Sequence, residues 1–284
     1  MYVRVNGVRL FFDVEGAKLV PDGAQMREKP TLILLHGAPG LTDHSSFKPD
    51  FSPLADVAQL VYLDVRGAGR SEAGPPERWS LEQWADDLVA FCEALGIEKP
   101  AVLGVSGGGF VAMAYATRHP DHPAKLVLAS TQARLDVDRS VRTFERHGGE
   151  RARDAARNFL ARSVDRESSL AYAEICLPLY NRTPRDADAA GRAVFRAELF
   201  GAFHQTSSGI WHRFDLTQDL ARIRCPTLVL AGDADPATPI EDSEEIVAAI
   251  DPRWVRFERF ADCGHGVWHD DPERAFALIE EFLA

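Results

Sequence analysis

Ser106 has the clearest chemical setting of any side chain in this sequence. It follows the apolar run Ala101–Val105, which reads as a buried strand. Beyond it, Phe110, Val111, Met113, Ala114 and Thr117 recur at helical spacing. The serine therefore stands where a strand turns abruptly into a helix, with Gly104 and Gly108 two residues to either side. Such a turn strains the backbone and lifts the hydroxyl clear of the sheet, and side chains at 104 and 108 would collide with neighbouring backbone. The chemistry it serves is nucleophilic attack on a carbonyl carbon, through an acyl intermediate on the serine oxygen. A rival pattern, Gly107-x-Gly109-x-x-Ala112, fits a weak dinucleotide-binding fingerprint. That reading needs an acid at the end of the next strand, and Lys125–Ala129 ends in Ser130-Thr131 instead.

A serine nucleophile needs a base, and the base needs an orienting acid. In a parallel sheet, functional groups gather beyond the carboxyl ends of the strands, so the loops there hold the candidates. The run Trp254–Phe260 leads into Ala261-Asp262-Cys263-Gly264-His265-Gly266, and His265 is the best placed of nine histidines. His269, beside Trp268, is its rival, and His44 is an outside candidate. His119 and His122 flank a helix end, His147, His204 and His212 fall in a helical stretch, and His36 begins a loop needed for its backbone. The run Pro226–Ala231 leads into Gly232-Asp233-Ala234-Asp235, which offers two acids; Asp233 also suits a turn. Two backbone N–H groups must meet the developing oxyanion. Gly107 supplies one, and Ala38, in the loop His36-Gly37-Ala38-Pro39-Gly40 after the strand Thr31–Leu35, supplies the other.

The elements that carry these loops alternate. Asn6-Gly7 between alternating runs is a hairpin signal. The polar stretch 16–30 reads as a loop, and a strand at about 59–63 runs into Asp64-Val65-Arg66-Gly67-Ala68-Gly69-Arg70-Ser71. Ser80 and Gln83 form a capping box for a helix that buries Leu81, Trp84, Leu88, Phe91 and Leu95 and stops at Gly96. Strands alternating with helices predict a parallel sheet covered on both faces. From Thr131 the rhythm breaks into an Arg-rich, helical stretch, and strand–helix alternation resumes at Pro226. The expectation is one α/β core, residues 1–130 and 217–284, with residues 131–216 inserted as a helical lid.

With 284 residues and 45% hydrophobic content the chain can bury a large core. A net charge of -11 argues against nucleic acid or an anionic membrane surface as partner. No basic start followed by an apolar run marks a signal peptide, and no window approaches 18 uninterrupted apolar residues. Cys92, Cys176, Cys225 and Cys263 are scattered and fit no zinc site. These features predict a cytoplasmic protein with reduced thiols and no metal.

Taken together, His36-Gly37-Ala38-Pro39-Gly40, Asp64-x-Arg66-Gly67-x-Gly69-x-Ser71, Gly104-x-Ser106-x-Gly108, Gly232-x-x-Asp235 and Gly264-His265 resemble the α/β-hydrolase superfamily. The first two look most like the proline iminopeptidase group and its esterase relatives. The resemblance implies a mostly parallel sheet of about eight strands with helices on both faces and an inserted helical lid. It implies a triad of Ser106, Asp235 and His265, with Asp235 preferred to Asp233 because this family commonly places the acid three residues after the glycine. It further implies a serine hydrolase that acts on a small ester, amide or short peptide without cofactor, since relatives with an Asp nucleophile are excluded by Ser106. Iminopeptidases usually carry an aromatic residue after the nucleophile, whereas this chain has Gly107. They also hold the substrate amine with acidic lid residues, a role open to Glu174 and Glu198, while Trp211 is one of several lid aromatics available as pocket wall. Esterase is therefore preferred to aminopeptidase, with a catalytically silent binding protein of the same fold as a further alternative. Asp64 and Arg66 are expected to pair and steady their loop, and Cys263 to lie near the base as a small buried residue or a target for thiol reagents.

Overall fold

The computed structural model describes residues 1–162, 164–184 and 189–284. Asn6 and Gly7 both adopt positive φ, 44° and 84°, which folds β1 (Tyr2–Val5) back on β2 (Val8–Glu15). Next come β3 (Leu19–Asp22) and β4 (Gln25–Glu28), a separate antiparallel ribbon where the polar sequence predicts a loop. Its side chains are almost all exposed, so no buried face leaves a hydrophobic alternation to read.

The central units follow in order: β5 (Thr31–Leu35), α1 (His44–Phe51), β6 (Gln59–Leu63), α2 (Leu81–Leu95), β7 (Ala101–Val105), α3 (Gly107–Arg118) and β8 (Lys125–Ala129). Helices alone then occupy the described residues up to β9: α4 (Val137–Arg157), α5 (Arg166–Ile175), α6 (Ala189–Arg192), α7 (Ala197–His204) and α8 (Ile210–Arg213). The chain closes with β9 (Thr227–Gly232), α9 (Ile240–Ala249), β10 (Val255–Phe260), α10 (Val267–Asp270) and α11 (Pro272–Leu283).

Eight strands form one sheet in the order β1-β2-β6-β5-β7-β8-β9-β10, antiparallel only where β2 meets β1 and β6. The strands β5, β7, β8 and β9 are almost wholly apolar and buried along their length, as a sheet covered on both faces requires. One face packs on α2, α3 and α9, through Trp84, Phe91, Val111, Met113 and Ile246; the other packs on α1 and α11, through Phe47, Phe51, Ala275 and Ile279. Ser80 caps α2 by accepting from Gln83 N at 3.2 Å, and Gly96 ends it at φ 66°. Only half of the expected capping box forms, because the Gln83 amide turns forward to Asp87 at 2.9 Å.

The helical stretch between β8 and β9 divides its packing. Val141, Phe144, Phe159 and Tyr172 make a small core of their own, which also takes in Ala237 beyond β9. Leu199, Phe203 and Ile210 join the main core on the α2–α3 face. No described helix is long and apolar enough to cross a membrane.

Candidate active site

Register brings the motif loops together. Leu35 pairs with Gly104 and Val105 with Ala129, so β5, β7 and β8 end side by side. Gly232 pairs with Phe260, which sets the loops after β9 and β10 next to each other. At the middle of this edge Ser106 adopts φ 52° and ψ -121°, a strained conformation for a residue with a Cβ. It is held by Ser106 N donating to Ala129 O at 3.1 Å and by Thr131 Oγ1 donating to Ser106 O at 2.7 Å. A Cβ on Gly104 would lie 2.5 Å from Gly108 O, and one on Gly108 would collide with Leu35 O. The strand-to-helix turn closes only with glycine at both positions.

Of the two acids after β9, the structure buries Asp235 and exposes Asp233. Asp235 Oδ1 accepts from Ala237 N at 2.8 Å and Thr238 N at 3.0 Å, while Oδ2 accepts from Thr238 Oγ1 at 2.7 Å and lies 2.8 Å from His265 Nδ1. Asp233 instead pairs with Arg259 at 3.0 Å on the surface. A carboxylate at Nδ1 fixes the imidazole tautomer, with the proton on Nδ1 and Nε2 left as acceptor. Among the described residues the Ser106 hydroxyl has no hydrogen-bond partner. Thr238 is a member of the site that sequence reasoning missed; its only signal is its place three residues after Asp235, where a hydroxyl can reach back to the carboxylate.

His269, the rival base, lies 3.2 Å from the carbonyl of Pro184 through Nε2 and is bound to the helical stretch. Ala38 takes φ 32°, and its loop lies on the serine: a Cβ on Gly37 would sit 3.2 Å from Ser106 Cβ. Gly107 N opens α3, where backbone N–H groups and the helix dipole favour a developing negative charge.

Neither acidic residue considered for the lid is buried. Glu174 is 75% exposed and pairs with Arg151 at 3.1 Å, and Glu198 is exposed in the first turn of α7. Trp211 is half-buried, with its ring 5.3 Å from that of His204. With the Gln132 amide turned to satisfy both its ends, Trp211 Nε1 donates to Gln132 O at 2.7 Å and Gln132 N donates to Asp242 at 3.2 Å. Asp242 is buried against Arg139; burial pushes its carboxyl up to about 7 despite that partner. Cys263 is buried, and burial together with Asp270 pushes its thiol up to about 11, which leaves little thiolate at neutral pH.

Asp64 and Arg66 do not pair as expected. Arg66 is fully buried and binds Asp87 on α2 in bidentate fashion, at 2.7 and 2.8 Å. A guanidinium at that depth needs a matched, desolvated partner, and α2 supplies it. Asp64 instead accepts from His44 N at 2.8 Å, His44 Nδ1 at 2.9 Å and Arg70 N at 2.9 Å. With Asp43 and His44 it forms the one cluster among the described residues whose spacing could suit a cation. Its oxygens are already taken, Asp43 accepting from Ser45 N and Val194 N at 2.8 Å each, so the cluster reads as a structural brace.

A sequence model of the alpha/beta hydrolase fold family matches residues 30–272. The chain belongs to that family. The hydrolase is 31% identical over 263 residues to the proline iminopeptidase PfmaB of Pestalotiopsis fici, which covers 88% of this chain and 87% of that protein. Its fold is similar to the crystal structure of a proline iminopeptidase from Mycobacterium smegmatis, with TM-score 0.78 and 22% identity over 100% of this chain and 97% of that one. It is also similar to a thermophilic esterase from Thermogutta terrifontis, with TM-score 0.65 and 27% identity over 99% and 96% of the two chains. The hydrolase is thus similar to both peptidase-named and esterase-named proteins.

Proposed function

We propose that this hydrolase cleaves a small carboxylic ester by two-step acyl transfer on Ser106. The observation that carries the reading is the buried contact of 2.8 Å between His265 Nδ1 and Asp235, on the same sheet edge as a serine strained at a strand-to-helix turn. In this reading His265 Nε2 takes the Ser106 proton as Oγ attacks the carbonyl carbon. Asp235 holds the tautomer and stabilises the imidazolium. The N–H groups of Ala38 and Gly107 receive the oxyanion. His265 then protonates the leaving alcohol, and water attacks the acyl-serine by the same route to release the acid. Residues 131–216 act as the lid, with their aromatic cluster and Trp211 as the pocket wall, and no cofactor takes part. The four buried, unpaired cysteines suit a cytoplasmic setting.

Support for an ester over an N-terminal prolyl amide comes from the acidic residues. An α-ammonium group needs a carboxylate buried in the pocket, but Glu174 is tied to Arg151 in solvent, Glu198 is exposed, and Asp242 is tied to Arg139. The aminopeptidase reading keeps one favouring observation, the 31% identity to a protein named as a proline iminopeptidase. A paired assay with p-nitrophenyl acetate and proline p-nitroanilide separates them. Ester turnover lost in Ser106→Ala supports the proposal. Dominant prolyl amide turnover makes the protein an aminopeptidase, and full activity in Ser106→Ala removes the acyl-serine altogether. A protein that takes up no fluorophosphonate on Ser106 and turns over neither substrate would be a binding protein of this fold.

A further inference from the structure

His265 is gripped by backbone as well as by Asp235. Its own N–H donates to Tyr180 O at 2.6 Å, and the next N–H, Gly266, donates to Asn181 Oδ1 at 2.9 Å. The preceding N–H, Gly264, donates to Asp270 Oδ2 at 2.8 Å. The same Asp270 carboxylate accepts from Arg182 N at 3.1 Å and from Thr183 N at 2.8 Å. Three consecutive amides around the imidazole are thus taken by residues 180–181 or by the one side chain that also holds residues 182–183. The contact is close: a Cβ on Gly264 would collide with Tyr180 O. The Tyr180 ring stands edge-on to the imidazole at 4.9 Å.

We propose that Asp270 is a positioning residue that locks residues 180–183 of the helical stretch to the His265 loop, so that this stretch and the base take up their places together. The proposal rests on the reading of His265 as base. The side-chain type matters. N–H donors from two separate chain segments converge on one group, and only an ionised carboxylate offers two oxygens and no hydrogen. Asn at this position keeps the volume but turns an NH₂ toward one of those donors. Asn181 is the second arm of the lock, since its amide oxygen takes the amide just past the base. Substrate that settles the 180–183 segment would thereby settle the imidazole, and a segment out of place would carry the base with it.

The test uses the full chain and p-nitrophenyl acetate. Asp270→Asn is expected to lower kcat about 10- to 100-fold, the scale of a small misplacement of a reacting group, with KM held within about twofold. The rate at which a fluorophosphonate modifies Ser106 should fall in parallel. Asn181→Leu should show the same pattern, and Asn181→Asp, which keeps an acceptor oxygen, should recover most of that loss. If Asp270→Asn is folded and retains wild-type kcat, the proposal is overturned. Should Asp270→Asn fail to fold, the Asn181 pair decides: equal activity in the Leu and Asp variants overturns it. His265→Gln tests the underlying reading separately. Retained activity there removes the base itself, whereas an inactive His265→Gln beside an unimpaired Asp270→Asn removes only the lock.

Discussion

Gly107 and Pro39 are packed so closely that a Cβ on Gly107 would come within 2.9 Å of Pro39 Cδ and 3.0 Å of Ala38 N. The space that a side chain at 107 would enter is occupied by the loop that carries Ala38 and Pro39. Gly107→Trp should therefore push that loop away and remove the Ala38 N–H from its place. The expected result is a loss of about 10²–10³ in kcat on an ester, as for the loss of one oxyanion donor. Steady-state kinetics check it, and an unchanged kcat would show that the loop can move aside without cost.

Asp235 and Asp233 should separate cleanly by mutation. Asp235→Asn keeps the shape but favours the wrong imidazole tautomer, and kcat should fall by about 10⁴. Asp233→Asn touches a solvated pair with Arg259 and should leave kcat within about twofold. Thr238→Val, which removes one donor from Asp235 Oδ2, should fall between them. Turnover of p-nitrophenyl acetate by the three variants decides the order.

The Arg66–Asp87 pair ties the loop after β6 to α2 in the core. Asp87→Ala leaves a buried guanidinium without its partner, which should cost about 3–5 kcal/mol of stability. Urea unfolding checks it. A cost below about 1 kcal/mol would mean that water reaches Arg66 and that the pair is dispensable.

His204 lies among Phe200, Phe203 and Trp211, and its Nδ1–H donates to Phe200 O at 3.0 Å. Burial pushes its pKa down to about 4, from 6.5 in the unfolded chain. The folded state thus keeps the ring neutral while the unfolded state takes up a proton as pH falls below 6.5. Stability should drop on acidification from 6.5 toward 4, by about 2 kcal/mol between pH 7 and pH 5 from this residue alone. His204→Phe should lose that part of the pH dependence. Urea midpoints of both proteins at the two pH values measure the difference.

The sequence by itself determined the sheet, the serine turn and the order of the motif loops. Those features are local: apolar runs of five residues, glycines at close approaches, and a Ser–Asp–His order that parallel strands bring to one edge. Only the tertiary structure decided how charges and caps are matched. Arg66 chose Asp87 over the nearby Asp64 because burial demands a bidentate partner, and that partner lies on a helix 21 positions away in sequence. The spacing after Gly232 favoured Asp235 over Asp233 by resemblance alone, and the structure added the physical difference, burial of one and exposure of the other. The surface ribbon β3–β4 left no hydrophobic pattern because neither of its faces is buried. The grip of Tyr180, Asn181 and Asp270 on the His265 loop was illegible for a different reason: its donors are backbone N–H groups, which every residue type but proline carries.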